Sequence, residues 1–387
     1  MSEEGEEGQH EFQEVSIILP CSQDFVLIWL HLFAGTSDDF HAVTDKHSLD
    51  IGPASDQAIT EIRPTKCHNS SKSISCQQPY ERLAHEIVSS PVLEARSDHI
   101  GIKAKVQKLV EDLTSDSLET LRTTTAELRL LTKINANNRR VIADYGAISL
   151  LVNLLNSTDT KIQENAVTAL VNLSINNNCK TIIVQANAIE PLIHVLQTGS
   201  SEAKENSAAT LGSLSVVDDY QVNIGRSGAI GPLVDLLRNG TPQGKKDAAT
   251  ALFNLSLLSE NKEKIVEAGS IKHLVKMMDP ATGMVEKAVV VLANLASIDE
   301  GRIEIVREGG IALLVDTIEL GSARAKEYAA AALLWLCAIT RGFCIVAIQE
   351  GAIPPLVALS QTGTGRAKEK ARALLSCFSR NKLVAQC

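Results

Sequence analysis

The polar chemistry of this chain starts with a spaced set of amides. Asn172, Ser213, Asn254, Asn294 and Trp335 follow one another at intervals of 41, 41, 40 and 41 residues. An asparagine amide offers a donor and an acceptor together. It therefore pairs with both the N–H and the C=O of an extended main chain. One such bond contributes about 0.5–1.5 kcal/mol net, so several in a row are needed to hold a ligand. The same amides can tie neighbouring helices together, and the two roles are compatible. Other chemistry is thin. The phosphate-loop, H-E-x-x-H and G-x-S-x-G patterns are missing, and Gly244-Lys245-Lys246 lacks a phosphate loop around it. Cys67-His68 and Cys76 would need a fourth donor and tighter spacing to hold zinc. Asn172-Leu173-Ser174 and Asn254-Leu255-Ser256 match the glycosylation pattern, which carries weight only behind a secretory signal. His194 and His273 read as solvated or capping side chains, and Cys337 and Cys344 as buried packing residues. The expectation is no catalytic residue, no metal, no cofactor and no small-molecule substrate.

The chain of 387 residues exceeds one compact core, which leaves several domains or a repeat array. Its net charge of −9 is unevenly placed. Residues 1–96 hold 16 acidic and 6 basic side chains, and the remainder holds 30 and 31, giving −10 and +1. A balanced repeat region without a basic block argues against nucleic acid as a partner. The eight cysteines form no C-x-x-C pair, and the acidic N-terminus (Glu3, Glu4, Glu6, Glu7) has the wrong sign for a signal peptide. Both observations predict a reduced, cytoplasmic or nuclear setting. The longest apolar run, Phe25 to Ala34, would rise about 15 Å as a helix, half a bilayer core. No membrane span is expected, and a short anchor or docking segment stays open. Residues 1–95 read as an acidic, mostly disordered tail and linker.

From about residue 96 to 382 the sequence repeats itself, leaving 383–387 as a tail. The cue is two small residues and an isoleucine: Gly146-Ala147-Ile148, Asn187-Ala188-Ile189, Gly228-Ala229-Ile230, Gly269-Ser270-Ile271, Gly309-Gly310-Ile311 and Gly351-Ala352-Ile353. A period near 41 residues marks stacked helical repeats of the HEAT or armadillo kind. In the unit at Gly228, Ile230, Leu233, Val234 and Leu237 share one helical face, with Pro232 in the first turn and Gly240 at the end. Ala248, Ala251, Leu252 and Leu255 form the face of a long helix. A shorter helix follows from Glu260-Asn261-Lys262, with Ile265 and Val266 inward. Ile102, Val106, Leu109, Val110 and Leu113 read as an N-terminal capping helix, and Arg366 to Arg380 as the opposite cap. The fold class is all-α, a right-handed armadillo-type superhelix of about six units.

The segments Lys161–Asn178, Glu202–Val216, Ile224–Leu237, Gly244–Ser256 and Glu350–Thr364 resemble the repeats of plant U-box/armadillo E3 ubiquitin ligases. In that family the repeats select a substrate and an upstream U-box recruits the ubiquitin-loaded E2. The U-box carries Cys-Pro, Asp-Pro-Val and Thr-Tyr-Glu-Arg. Here Pro20-Cys21 is reversed, no Asp-Pro precedes residue 100, and Tyr80-Glu81-Arg82 follows Pro79. A U-box is not evident. The resemblance therefore implies a protein-binding module that acts as an adaptor or competitor. Alternatives are an active E3 ligase with a divergent E2-binding segment in 1–95, or a general signalling scaffold. Implied partners are protein substrates or signalling proteins bound as extended segments, and full-length U-box ligases.

In armadillo arrays the long helices line an inner groove. The amide series then reads main chain. Positions seven residues earlier (Asn165, Asn206, Asp247, Lys287, Tyr328) vary in charge and would read side chains. Between them lie Thr168 and Thr250. Importin-like arrays place tryptophan there, so binding of nuclear signals is disfavoured. Trp335 is either an anchor for an apolar partner residue or core filler.

Overall fold

The computed structural model describes residues 94–380, with side chains from Gly101 onward. All regular structure among the described residues is helical. The first helix, α1 (Glu94–Asp112), buries Val106 and Leu109 and half-buries Ile102 and Val110, with Leu113 buried just past its end. It packs on the first long helix, α2 (Leu118–Ile134). Thereafter two short helices precede each long one. Ala136–Asp144 (α3) and Ala147–Leu154 (α4) lead to Thr160–Leu173 (α5). Asn177–Gln185 (α6) and Ile189–Thr198 (α7) lead to Ser201–Leu214 (α8). Asp218–Arg226 (α9) and Ile230–Asn239 (α10) lead to Pro242–Leu255 (α11). Ser259–Glu267 (α12) and Ser270–Met277 (α13) lead to Val285–Leu295 (α14). Asp299–Arg307 (α15) and Gly310–Leu320 (α16) lead to Ala323–Ile339 (α17). Arg341–Gln349 (α18) and Ile353–Thr362 (α19) lead to Gly365–Arg380 (α20).

Each successive long helix lies beside its predecessor, and the short helices pack against the long ones. The core is continuous from Val106 to Phe378. Helices of 8–11 residues are marginal alone, so each depends on burying its apolar face against the next unit. Alanine and glycine line the long-helix contacts. Gly212 of α8 faces Ala251 of α11, and Ala329, Ala330, Ala331 and Ala332 of α17 are all buried. The small side chains bring the axes close. The outermost long helix, α20, buries Ala367, Ala371, Leu374 and Phe378 and exposes Arg366, Glu369 and Arg372. Cys179, Cys337 and Cys344 are buried, His194 is exposed and His273 half-buried.

The small-small-isoleucine cue marks a backbone turn. Gly146, Gly228, Gly269, Gly309 and Gly351 all have positive φ, between 76° and 86°. Asn187, the one non-glycine in the series, has φ 56°. A β-carbon is strained in this region, and asparagine tolerates it best. A second device closes the turn from a long helix into the next short one at four of the six such turns among the described residues. A side chain in the short helix donates to a carbonyl at the end of the long helix. Asn138 Nδ2 reaches Leu131 O at 3.2 Å, Asn261 Nδ2 reaches Leu255 O at 3.1 Å, and Arg302 Nη1 reaches Ala296 O at 3.0 Å. Cys344 Sγ reaches Cys337 O at 3.0 Å. These carbonyls lie where the i+4 N–H partners of the helix run out, and Leu255 O also accepts the Leu258 N–H at 3.3 Å.

A third device joins the units at the other end of the long helices. Each N-cap side chain there is held by the preceding long helix. Asp159 pairs with Arg122 at 2.5 Å. The Ser200 hydroxyl donates to Glu164 at 2.6 Å, Ser322 to Glu286 at 2.7 Å, and Thr364 to Glu327 at 2.7 Å. Thr241 donates to Glu205. These hydroxyls also accept a backbone N–H of their own helix, as Ser200 does from Ala203 at 3.2 Å. The fourth unit breaks the series. A short 3-10 turn, Pro280–Thr282, and a left-handed Gly283 precede α14, whose N-cap residue Met284 makes no side-chain cap. Lys246 stands where Glu205 would recur.

Two glycines of one unit should respond oppositely to alanine. Gly228→Ala places a β-carbon at φ 86° and is expected to cost about 1–2 kcal/mol. Gly231, inside α10 and with open space around it, should gain about 0.5–1 kcal/mol as alanine. Thermal melts of the two variants check this. Equal shifts of one sign would refute the assigned turn.

Candidate functional site

Among the sequence candidates, the amides at the C-terminal ends of the long helices share one arrangement. Asn172 Nδ2 donates to Thr132 Oγ1 of α2 at 3.2 Å. Asn254 Nδ2 donates to Gly212 O at 2.9 Å and Ser215 Oγ at 3.2 Å. Asn294 Nδ2 donates to Ser256 Oγ at 2.9 Å. The acceptor hydroxyls are themselves tied back, Ser215 to Gly212 O at 3.0 Å and Ser256 to Phe253 O at 2.7 Å. Each bond links one long helix to the one before it. The amide nitrogen is thereby committed to the scaffold. The carbonyl oxygens Oδ1 of Asn172, Asn254 and Asn294 make no hydrogen bond among the described residues, and none is a buried orphan. The arrangement fixes three rotamers and leaves three acceptors on the half-buried long-helix face.

Ser213 differs. It is buried, and its hydroxyl donates to Ser174 O at 2.9 Å, so it serves the same helix link without offering an acceptor row member of amide type. Trp335 is half-buried and packs against the core.

Seven residues earlier the face is more strongly polar. Asn165 Nδ2 donates to Thr125 Oγ1 at 3.4 Å, and its oxygen accepts from Arg129 Nη1 at 3.3 Å. Arg129 also pairs with Glu202 at 2.7 Å, two units along. Asn206 Nδ2 donates to Thr168 Oγ1 at 2.9 Å, and Lys287 Nζ to Thr250 Oγ1 at 3.0 Å. Both threonines donate back to their own helix, at 2.6 and 2.8 Å. Tyr328 carries Arg324 over its ring, 5.8 Å from the centroid, a cation–π contact. Asp247 accepts from Gln243 Nε2 at 3.1 Å to each oxygen. Burial pushes its carboxyl up to about 6, the Gln243 bond and Lys287 oppose this, and Glu205 adds to it. Burial likewise lowers the Lys287 ammonium, aided by Arg324. An acidic and a basic group therefore meet in the middle of the face, each held at an energetic cost.

Sequence reasoning did not find Arg129, Glu202 or the Glu–Ser/Thr hooks. The hooks had a signal. Glu164–Ser200, Glu205–Thr241 and Glu286–Ser322 are each 36 residues apart, a second period offset from the first.

A family profile described as "Plant U-box protein ARM repeat region" matches residues 105–387. The chain belongs to this armadillo family. U-box domain-containing protein 4 of Arabidopsis thaliana is 75% identical over 268 residues, 69% of this chain and 32% of that protein. U-box domain-containing protein 3 of the same plant is 53% identical over 297 residues, 76% of this chain and 38% of that protein. The matched part of the armadillo chain thus spans about a third of these relatives' length. Among solved structures, an engineered protein superposes with TM-score 0.63 at 29% identity, over 71% of this chain and 68% of its own. A designed armadillo repeat protein in complex with the peptide (KR)4 superposes with TM-score 0.53 at 25% identity, over 60% and 99%.

The Asp247 environment gives a signed pH dependence for the armadillo array. Its folded pKa lies above the unfolded value near 3.9, so the folded state binds the extra proton. The stability from that proton is present below pH about 4 and lost as pH rises through about 6. Asp247→Asn should therefore raise stability by about 1–2 kcal/mol at pH 7.5, and the gain should vanish near pH 4. Melts across pH 4–8 test it. A gain independent of pH would refute the assignment.

Proposed function

We propose that the long-helix face of this armadillo array holds an extended segment of a partner protein. The observation that carries the reading is the fixed amide row. Asn172, Asn254 and Asn294 give their donors to neighbouring helices and keep Oδ1 for a ligand. An extended main chain supplies N–H donors at regular steps, and preset rotamers lower the entropy cost of binding. The designed armadillo protein in complex with (KR)4 is a precedent for peptide binding by a related fold. The polar positions Asn165, Asn206, Asp247, Lys287 and Tyr328 then select side chains.

The relatives are U-box proteins, and the resemblance implies a place in ubiquitination. The repeats choose the client, and this chain acts as an adaptor or as a competitor of full-length U-box ligases. A cytoplasmic or nuclear location belongs to the same reading.

A random 14-residue peptide library selected on the full chain tests the groove. Combined Asn172→Ala, Asn254→Ala and Asn294→Ala should weaken the selected peptides on the order of a hundredfold. The variant's circular dichroism and melt check that it remains folded at the assay temperature. Undiminished binding by a folded variant would sink the amide reading. For the competitor role, the chain is incubated with E1, a panel of E2s and ubiquitin. No ubiquitin chains are expected from it alone, and added to a full-length U-box ligase it should slow client modification. Ubiquitin chains formed with this protein alone would overturn that role.

A further inference from the structure

Asn165, Asn206, Asp247 and Lys287 share one register on the long-helix face, and three of them serve the scaffold. Asn165 donates to Thr125, Asn206 to Thr168 and Lys287 to Thr250, each a hydroxyl of the preceding long helix. Asp247 has no such link. Where the preceding helix would offer a threonine it carries Ala209, 41 residues after Thr168 and 41 before Thr250. An ionised carboxyl also has no hydrogen to donate. Its hydrogen-bond partner is Gln243, one turn earlier in its own helix.

The carboxylates of the long helices around it are engaged. Glu164 of α5 pairs with Lys161 at 2.8 Å, Glu202 of α8 with Arg129 at 2.7 Å and Glu286 of α14 with Arg324 at 3.9 Å. Glu205 of α8 holds the Thr241 hydroxyl. Asp247 is half-buried and enters no ion pair among the described residues. Lys287 is bonded to Thr250 and does not pair with it. A charge withdrawn from water without a partner costs stability, and the scaffold draws no helix-to-helix link from this one in return.

From this placement we infer that Asp247 sets the specificity of the groove by seating one basic side chain, lysine or arginine, of the bound segment. This rests on the groove reading and specifies its ligand. An ammonium or guanidinium supplies the donors and the charge that the carboxyl lacks, in a half-buried site where salt screens little. Lys287 of α14, with Lys246 and Arg324 near it, disfavours a second basic residue on that side. The occupant is therefore a segment with an isolated basic residue rather than a uniformly basic one.

The library selection is repeated on Asp247→Asn, which is expected to be the more stable chain, so weaker binding by it does not arise from unfolding. Wild-type chain should enrich peptides with one Lys or Arg at a fixed position. Asp247→Asn should bind those peptides about tenfold more weakly at pH 7.5. Replacing the peptide's Lys or Arg by Met should weaken wild-type binding by the same factor and leave binding to D247N unchanged. Between pH 5 and 7 wild-type affinity should rise as the carboxyl ionises, while D247N stays flat. The charges facing that carboxyl are Glu205 of α8, Lys246 of α11 and Lys287 of α14. Peptides that need Asn172, Asn254 and Asn294 yet bind D247N as tightly as wild type would overturn this inference and leave the groove reading standing. So would peptides basic along their whole length, or a loss in D247N that persists with the Met peptide. Enrichment of no peptide would overturn both.

Discussion

Everything in this array depends on fixing the register of one long helix against the next. Short helices with a shared apolar face have no intrinsic register, because alanine-rich surfaces slide at little cost. Two sets of polar links remove that freedom. At the N-terminal ends, Glu164, Glu205, Glu286 and Glu327 hold the capping hydroxyls of the following helix. At the C-terminal ends, Asn172, Ser213, Asn254 and Asn294 reach back to the preceding helix. A helix pinned at both ends can neither slide nor rotate. The repeating face is a consequence of those pins.

The architecture was legible in the sequence because its strongest signals are local. The left-handed turn needs glycine or asparagine within one short stretch, so Gly228 and Asn187 announce it directly. The apolar faces of α10 and α11 could be read for the same reason. The hooks were harder, since Glu164 and Ser200 sit in different helices and each looks like an ordinary surface residue alone. Ile175 and Leu257 lie two residues past the buried Leu173 and Leu255, and only burial separates exposed from core aliphatics there. The tail expected over residues 1–95 lies almost wholly outside the described residues.

The fourth unit shows what happens where the rule lapses. Lys246 replaces the hooking glutamate, and α14 starts late, after a 3-10 turn. The link within the face persists at this step, Lys287 to Thr250, in the register where Asn206 meets Thr168. With lysine in place of asparagine, an ammonium and the Asp247 carboxyl share this partly buried face, and burial shifts both away from their ordinary protonation ranges.

The division of labour within each asparagine follows from the same constraint. If the amide were free, its rotamers would have to be ordered on binding, and its donor would compete for ligand carbonyls. With Nδ2 held by Ser256 or Thr132, only the acceptor remains. A row of like acceptors discriminates for main chain with unpaired N–H groups and against helices. It says nothing about side chains. Sequence preference must come from residues that differ along the face, such as Asp247 and Lys287. The bonds that stabilise the array thus also decide which conformation a partner must adopt.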